Sequence, residues 1–175
     1  EFQTVLMKAL LGVRARREFE IVPILCGPVE PFILAEKSPT RDDHFKRFVE
    51  LLREELDRGG RRWCAMASVD FSHVGPKFGD FTPMNERFLP AVERGDRRLL
   101  ARIEKLDADG LFAEVARTRN SRHVDAVTAV LTLLALGRDL FKRARLLHYD
   151  QMLEVPTKSV VSFASLALEH AAQKG

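Results

Sequence analysis

Residues 63–71 read WCAMASVDF, an apolar run of strand length that ends in a carboxylate and a phenylalanine. A similar run, EIVPILC, occupies residues 20–26 and is followed by a Gly-Pro pair. Between them, residues 38–58 place large apolar side chains at helical spacing and close on two glycines. Strand, helix and strand in this order are typical of a right-handed parallel βαβ unit, so the sequence predicts an α/β fold.

The rest of the chain continues this alternation of helices and strands. Residues 85–136 show a helical pattern punctuated by three glycines, the first of them Gly95. Residues 144–149 and 159–168 predict two strands that close the sheet. No repeat, low-complexity tract or linker interrupts the 175 residues, so we predict one domain over residues 1–175.

The charge pattern and the short motifs exclude several classes of function. The 28 basic and 25 acidic residues alternate along the chain, which is typical of a solvated surface. Aromatic side chains do not alternate with a basic patch, so we expect no nucleic-acid partner. The sequence contains no Walker loop, no GxGxxG and no GxSxG, which argues against nucleotide-binding and serine-hydrolase activities.

Apolar stretches and cysteines indicate the compartment. No apolar stretch reaches the roughly 18–20 residues that a membrane-spanning helix needs, so we expect no membrane partner. The opening residues show no secretory signal pattern. Cys26 and Cys64 both lie in apolar runs, which predicts reduced thiols in the core and a cytoplasmic protein.

The strongest functional signal is the segment SVDFSHVGPKFG at residues 68–79. It places Asp70, Ser72 and His73 directly after a predicted strand, and the carboxyl ends of parallel strands are where ligands bind in open sheets. Histidine can act as acid, base or metal ligand, while a neighbouring carboxylate can fix its tautomer. The alternative is a structural loop in which Asp70 caps the turn and His73 fills a polar pocket.

A second candidate is RTRNSRHVD at residues 117–125, at the entrance to a long apolar helix. Asn120 or Ser121 is the predicted N-cap, so free amide donors and the positive end of the helix dipole would favour an anionic group there. Arg122 and His123 add charge and hydrogen-bond donors. The alternative is a capped helix with solvated arginines.

These segments together resemble a known family. SVDFSHVGPKFG resembles the strand–loop segment of Memo-type proteins, also called AmmeMemoRadiSam system protein B, which runs Ser-Ser-Asp-Phe-Ser/Cys-His. EIVPILCGPV resembles the family strand Ile-Ile-Pro-Val-Leu-Val-Gly, and SRHVDAV stands at its Cys-Gly helix start. LLHYDQ followed by SVVSFASLAL resembles its closing strands. Glu1-Phe2-Gln3 looks like the end of its His-Ser-x-Glu segment, which implies that the chain is the C-terminal portion of the full family domain.

The resemblance implies a fold similar to class III extradiol dioxygenases. That fold is a three-layer α/β/α sandwich with a mostly parallel central sheet, and its cleft holds a non-haem iron in the dioxygenases. His73 matches the acid/base histidine, with Asp70 beside it. Asn120 falls where the family has a cysteine that lines the metal site, and an amide oxygen is a weaker ligand than a thiolate for a borderline metal. The two metal-site histidines of the family would precede Glu1. The implied cofactor is iron or another divalent metal.

Two functions remain open from the sequence. The first is a metal-dependent redox or oxygenase-like enzyme in which His73 is the acid/base and Asp70 orients it, while Ser72, Arg122 and His123 contact an anionic or phenolic substrate. The second is a non-catalytic binding module whose cleft holds a peptide or partner protein, as animal Memo relatives are thought to bind phosphotyrosine peptides. The family name points to AMMECR1-like and radical-SAM proteins as partners. Asp70 and His73 favour the enzyme, whereas the lost cysteine favours the binding module.

Overall fold

A computed structural model describes residues 2–12, 19–60 and 62–170 of the chain. The described part is a mixed α/β structure, as the sequence predicted. Its helices are α1 (Phe2–Gly12), α2 (Glu30–Leu34), α3 (Asp43–Arg58), α4 (Leu89–Glu104), α5 (Ala108–Arg117) and α6 (Val127–Leu136). Its strands are β1 (His73–Val74), β2 (Phe141–Glu154) and β3 (Ser159–His170). Short 3₁₀ turns occupy Pro39–Arg41, Pro76–Phe78 and Glu86–Phe88.

Helix α3 confirms the helix predicted between residues 38 and 58, with a later start. One carboxylate oxygen of Asp42 accepts hydrogen bonds from the backbone N–H groups of His44 (3.0 Å) and Phe45 (3.1 Å), which caps the helix. The bond from Phe45 is the main reason that the pKa of Asp42 is lowered. Residues 39–41 form a separate 3₁₀ turn. The turn is not continuous with α3, because Asp42 between them has an extended backbone conformation.

The sheet is antiparallel, with the strand order β1-β3-β2. Strands β2 and β3 confirm the two closing strands, extend beyond the predicted bounds, and form a long hairpin in which Tyr149 pairs with Ala164. The short strand β1 lies along the other edge of β3 and pairs His73 with Val161. The hairpin therefore carries the segment that holds the candidate histidine.

The two strands predicted at residues 20–26 and 63–71 are not confirmed. The structure assigns both segments to no strand, and the former leaves Val22 74% and Leu25 100% exposed. Residues 62–69 still alternate between more and less exposed positions, as strand residues do. A strand also needs a hydrogen-bonded neighbour, and the described residues provide no parallel one. The three-layer sandwich with a parallel sheet is therefore not seen in the described residues.

The two cysteines follow the sequence prediction only in part. Cys26 and Cys64 are both free thiols, as predicted. The expectation that both lie in the core is wrong, because Cys64 is exposed and Cys26 is half-buried. Cys64 lies on the exposed side of the alternating segment 62–69, whereas the Sγ of Cys26 lies 3.9 Å from the Oγ1 of Thr132.

The core is built around α6, which contacts both α3 and α5, while α4 contacts α5 and β2. Six of the ten residues of α6 are buried, and Leu131 is fully buried. Leu99, Leu100 and Leu111 from α4 and α5 pack in the same cluster. An apolar core of this kind stabilises the domain by removing side chains from water. None of the described helices is long and apolar enough to cross a bilayer.

Gly95 does not interrupt the helical pattern, contrary to the sequence prediction, because α4 runs through it from Leu89 to Glu104. A Cβ atom at Gly95 would lie 2.6 Å from the guanidinium carbon of Arg122. The glycine is therefore needed for the close approach of this side chain to the helix, although glycine in a helix interior costs about 1 kcal/mol relative to alanine.

We predict that Leu131→Ala lowers the free energy of unfolding by about 2–5 kcal/mol, because it removes a fully buried side chain from the centre of the core. Urea denaturation followed by circular dichroism measures the effect. Leu147→Ala is the control, since Leu147 is 49% exposed and should change stability by about 0.5 kcal/mol or less. Equal losses in the two variants would contradict the position of the core.

Candidate active site

The segment before β1 is fixed by reciprocal hydrogen bonds between Ser72 and Ser162 of β3. The N–H of Ser162 donates to the carbonyl of Ser72 (3.0 Å), and the N–H of Ser72 donates to the hydroxyl of Ser162 (2.9 Å). The N–H of Phe71 donates to the carbonyl of Ser162 (2.8 Å). Both serines are fully buried. The next residue, His73, therefore has a defined place at the start of β1.

The loop between α5 and α6 forms the other wall of the site. Arg119, Asn120 and His123 have left-handed backbone conformations, with φ of 50°, 51° and 48°. Asparagine adopts this region more readily than most residues. The N–H of His123 donates to the carbonyl of Asn120 (2.8 Å), which closes a tight turn at this point.

The side chain of Asn120 stabilises this loop. Its amide oxygen accepts a hydrogen bond from the N–H of Val124 (2.9 Å), and its NH₂ group donates to a carboxylate oxygen of Glu30 (2.8 Å). The prediction that Asn120 or Ser121 caps the following helix is wrong, because α6 begins only at Val127 and has no side-chain cap. The polar atoms of Asn120 are used within the loop and towards α2.

His73 lies where these two walls meet. Its N–H donates to the carbonyl of Arg122 (2.8 Å), and its ring Nδ1 lies 2.9 Å from the carbonyl oxygen of His123. Its Nε2 lies 3.1 Å from the Oδ2 of Asp70. The edge of the Phe78 ring packs against the imidazole, with centroids 5.0 Å apart. The side chain of His73 is only 12% exposed.

A second carboxylate approaches the same ring. The Oδ2 of Asp125, a residue that is mostly exposed, lies 3.9 Å from the Nδ1 of His73. Asp70, His73 and Asp125 each offer a ligand atom, and the three atoms lie within 4.8 Å of one another. The sequence pattern at residues 117–125 contains Asp125 but assigns no role to it. Its position two residues after His123 could have indicated a second carboxylate near the site.

His123 lies on the open side of the site. Its side chain is half-exposed, and its Nε2 lies 3.6 Å from the Oδ1 of Asp80. The other oxygen of Asp80 accepts a hydrogen bond from the N–H of Gly75 (2.7 Å). His123 and His73 therefore belong to one polar region, in which His123 is the more accessible of the two.

A buried polar cluster lies beneath the site, around Asp96 of α4. The Oδ1 of Asp96 accepts a hydrogen bond from the hydroxyl of Ser72 (2.6 Å), and its Oδ2 accepts from the hydroxyls of Ser162 (2.5 Å) and Tyr149 (2.9 Å). The Nε of Arg122 donates to the hydroxyl of Ser72 (3.0 Å) and lies 3.7 Å from Asp96. The sequence interpretation missed Asp96, Tyr149 and Ser162.

Burial dominates the ionisation of two members of this cluster. Desolvation lowers the pKa of Arg122, although the negative charge of Asp96 acts in the opposite direction. Desolvation is also the main cause of the raised pKa of Tyr149, so its hydroxyl keeps its hydrogen and donates. Ser72 and Arg122, which the sequence analysis proposed as substrate contacts, direct their polar groups towards Asp96.

These observations define a mixed α/β domain with a histidine–carboxylate site at the junction of a β-hairpin and a helix-connecting loop. The family model described as "Memo-like protein" matches residues 1–167. The chain therefore belongs to the Memo family, and the resemblance inferred from the sequence is confirmed.

Curated relatives agree with this family. The chain is 34% identical over 140 residues to a MEMO1 family protein of Thermus thermophilus, which covers 80% of this chain and 39% of the relative. It is 32% identical over 167 residues to a MEMO1 family protein of Aquifex aeolicus, covering 95% of this chain and 38% of the relative. A MEMO1 family protein of Thermococcus onnurineus is 30% identical over 162 residues, covering 89% and 51%. The chain thus spans about half or less of the length of these relatives.

We predict that Gly75→Ala destabilises the protein by about 1–3 kcal/mol. Gly75 has a φ of 112°, and a Cβ atom there would lie 2.8 Å from backbone atoms of Lys158 and Ser159. Gly27→Ala is the matched control, because a Cβ atom at Gly27 would meet nothing within 4 Å. Urea denaturation of both variants tests this prediction, and an unchanged stability of Gly75→Ala would contradict the tight turn beside His73.

Proposed function

We propose that this chain contributes a metal-dependent redox or oxygenase-like active site in which Nε2 of His73 either binds the metal or, when no metal is on it, acts as the acid/base group. The observation that carries the proposal is the orientation of the imidazole of His73. Its Nδ1 faces the carbonyl oxygen of His123 at 2.9 Å, and its Nε2 faces the carboxylate of Asp70 at 3.1 Å. Each ring nitrogen therefore has one partner at hydrogen-bond distance.

The chemistry of these two partners determines what the ring can do. A carbonyl oxygen can only accept a hydrogen bond, so Nδ1 carries a hydrogen and donates it to His123. When the ring is neutral, the lone pair is then on Nε2 and points towards Asp70. A lone pair facing a carboxylate is repulsive, and either a proton on Nε2 or a shared divalent cation removes that repulsion. The same geometry supports either proton transfer or metal binding at Nε2, but not both at once.

The available donors suit a divalent transition metal. The Nε2 of His73 and the carboxylate of Asp70 form a mixed nitrogen and oxygen pair that fits iron, manganese or zinc, whereas Asp125 approaches the ring on its Nδ1 side. In metal sites, the ring nitrogen of a histidine that does not bind the metal often donates a hydrogen bond to a backbone carbonyl, and this bond fixes the tautomer. A bound metal would supply Lewis-acid or redox chemistry. The family resemblance adds two further histidine ligands, which belong to the N-terminal half of the family pattern.

The other groups of the site are assigned by their accessibility. When Nε2 of His73 carries a proton, it donates to Asp70, which then orients the ring; the side chain of Asp70 is 44% exposed. His123, at 48% exposed, is placed to contact an anionic or phenolic substrate. Phe78 covers one side of the imidazole and reduces its contact with water. The resemblance to class III extradiol dioxygenases supports this distribution of roles and a three-layer arrangement of the fold.

We predict that His73→Ala reduces bound iron at least tenfold after anaerobic reconstitution of the protein with ferrous iron, because it removes the central ligand. Metal analysis after desalting measures the bound iron, and circular dichroism checks the fold. His148→Ala is the matched control, since His148 is a histidine of β2 whose side chain is 68% exposed. Equal iron contents in the wild type and both variants would contradict the proposal.

A non-catalytic binding module is the second candidate. It is favoured by Asn120, which stands where the family pattern has a cysteine. The side-chain amide of Asn120 is hydrogen-bonded to Val124 and Glu30, so it does not supply the thiolate ligand of that pattern. The occupant would be an anionic peptide such as a phosphotyrosine peptide, and AMMECR1-like and radical-SAM proteins are the protein partners that the family name proposes.

We predict for this second candidate that His123→Ala weakens binding of a phosphotyrosine peptide about tenfold, since His123 is the accessible donor of the site. Fluorescence anisotropy with a labelled peptide measures the affinity, and the unphosphorylated peptide is the control. Absence of binding by the wild type, or equal affinity for both peptides, would contradict the binding module.

A further inference from the structure

The buried carboxylate of Asp96 connects four separate segments of the chain. It accepts hydrogen bonds from Ser72 before β1, from Tyr149 of β2 and from Ser162 of β3. It also faces the guanidinium of Arg122, which belongs to the loop between α5 and α6. The side chain of Asp96 is fully buried. The carboxylate therefore lies where the hairpin, the loop and α4 meet.

The cost of burying this carboxylate indicates a role beyond packing. A buried charge is strongly unfavourable unless hydrogen bonds and an opposite charge compensate it, and well-packed apolar residues are often equally stable. The positions of α4 that share its face, Val92, Leu99 and Ile103, are buried and apolar. A leucine at position 96 would continue this face. The leucine would, however, leave the hydroxyls of Ser72, Ser162 and Tyr149 without their acceptor, so the aspartate serves these partners rather than the apolar face.

Those partners are the immediate neighbours of the groups that orient His73. The hydroxyl of Ser72 donates to Asp96 and accepts from the Nε of Arg122, so the serine joins the two side chains. One residue beyond Ser72 is His73, and one residue beyond Arg122 is His123, whose carbonyl accepts from the imidazole. The backbone of Arg122 also accepts from the N–H of His73 at 2.8 Å. The contacts of Ser72 and Arg122 thus set the distance between the segment before β1 and the loop after α5. They do so one residue before His73 and one residue before His123.

We infer that Asp96 is a positioning residue for His73. Acting through Ser72 and Arg122, it holds the segment before β1 and the loop after α5 in the register that places Nδ1 of His73 against the carbonyl of His123. Nε2 is then left towards Asp70. The inference about ring orientation is independent of any metal, whereas its consequence for metal affinity rests on the function proposed above.

A carboxylate is needed for this role because both of its oxygens accept. Oδ1 accepts a hydrogen bond from Ser72 on one side, and Oδ2 accepts hydrogen bonds from Ser162 and Tyr149 on the other. Asparagine has a single acceptor oxygen, so it can serve only one side and turns an NH₂ group towards the other. It also leaves the buried guanidinium of Arg122 without its counter-charge. We therefore expect Asp96→Asn to alter the register while its shape still fits.

Heteronuclear NMR of metal-free protein with isotope-labelled histidine tests the inference, since the nitrogen shifts show which ring nitrogen carries the hydrogen. In the wild type, His73 should show a hydrogen on Nδ1. In Asp96→Asn, its signals should move towards those of the exposed His148 in the same spectrum. Asp43→Asn, the same substitution at a side chain that is 91% exposed, is the control and should leave His73 unchanged.

Gly95→Ala provides a second variant in case Asp96→Asn does not fold. The added Cβ would lie 2.6 Å from the guanidinium carbon of Arg122 and so displaces this side chain without removing the Asp96 carboxylate. It should change the His73 ring signals in the same direction. Unchanged signals in a folded Asp96→Asn protein, or in Gly95→Ala if only that variant folds, would overturn the inference.

Ferrous iron titration of the same variants separates this inference from the proposed function. A roughly tenfold weaker iron affinity in Asp96→Asn, together with altered ring signals, supports both. Altered ring signals in a protein whose wild type binds no iron support the positioning role and contradict the metal-dependent function. Unaltered ring signals with normal iron binding contradict the positioning role alone.

Discussion

The pairing of Ser72 with Ser162 is the contact on which the rest of the site depends. Each serine donates a hydrogen bond from its backbone N–H to the other. The hydroxyl of Ser162 accepts the hydrogen bond from Ser72 and donates one to the carboxylate of Asp96. Because both residues are fully buried, these bonds are not weakened by competition with water. The hairpin thereby fixes the backbone one residue before His73, and the loop after α5 completes its surroundings.

The elements that the sequence predicted well are those whose signals are local. Helix α3 has a capping aspartate and an apolar face, and the β2–β3 hairpin has two long runs around a short turn. Residues 20–26 and 63–71 carry an equally strong strand pattern, yet pairing depends on a neighbour that no local pattern provides. The glycine at position 95 could not be explained from the sequence either, because it makes room for the side chain of Arg122, which is distant in sequence.

The candidate site divides in the same way. Asp70 and His73 were found because they follow an apolar run in a recognisable segment, and the structure brings their side chains within 3.1 Å. Asp96 was missed although it occupies the buried face of α4 between Val92 and Leu99. A charged residue on the apolar face of a helix was a usable signal. Its partners on β2 and β3 could not be named without the fold.

The exposure pattern of residues 62–69 has a consequence for handling the protein. This segment keeps the alternation of a strand but has no ladder neighbour among the described residues, and Met66 is 58% exposed. An exposed apolar side chain of this kind adds to the apolar surface through which protein molecules associate. A charged substitution at Met66 should therefore improve solubility without touching the imidazole.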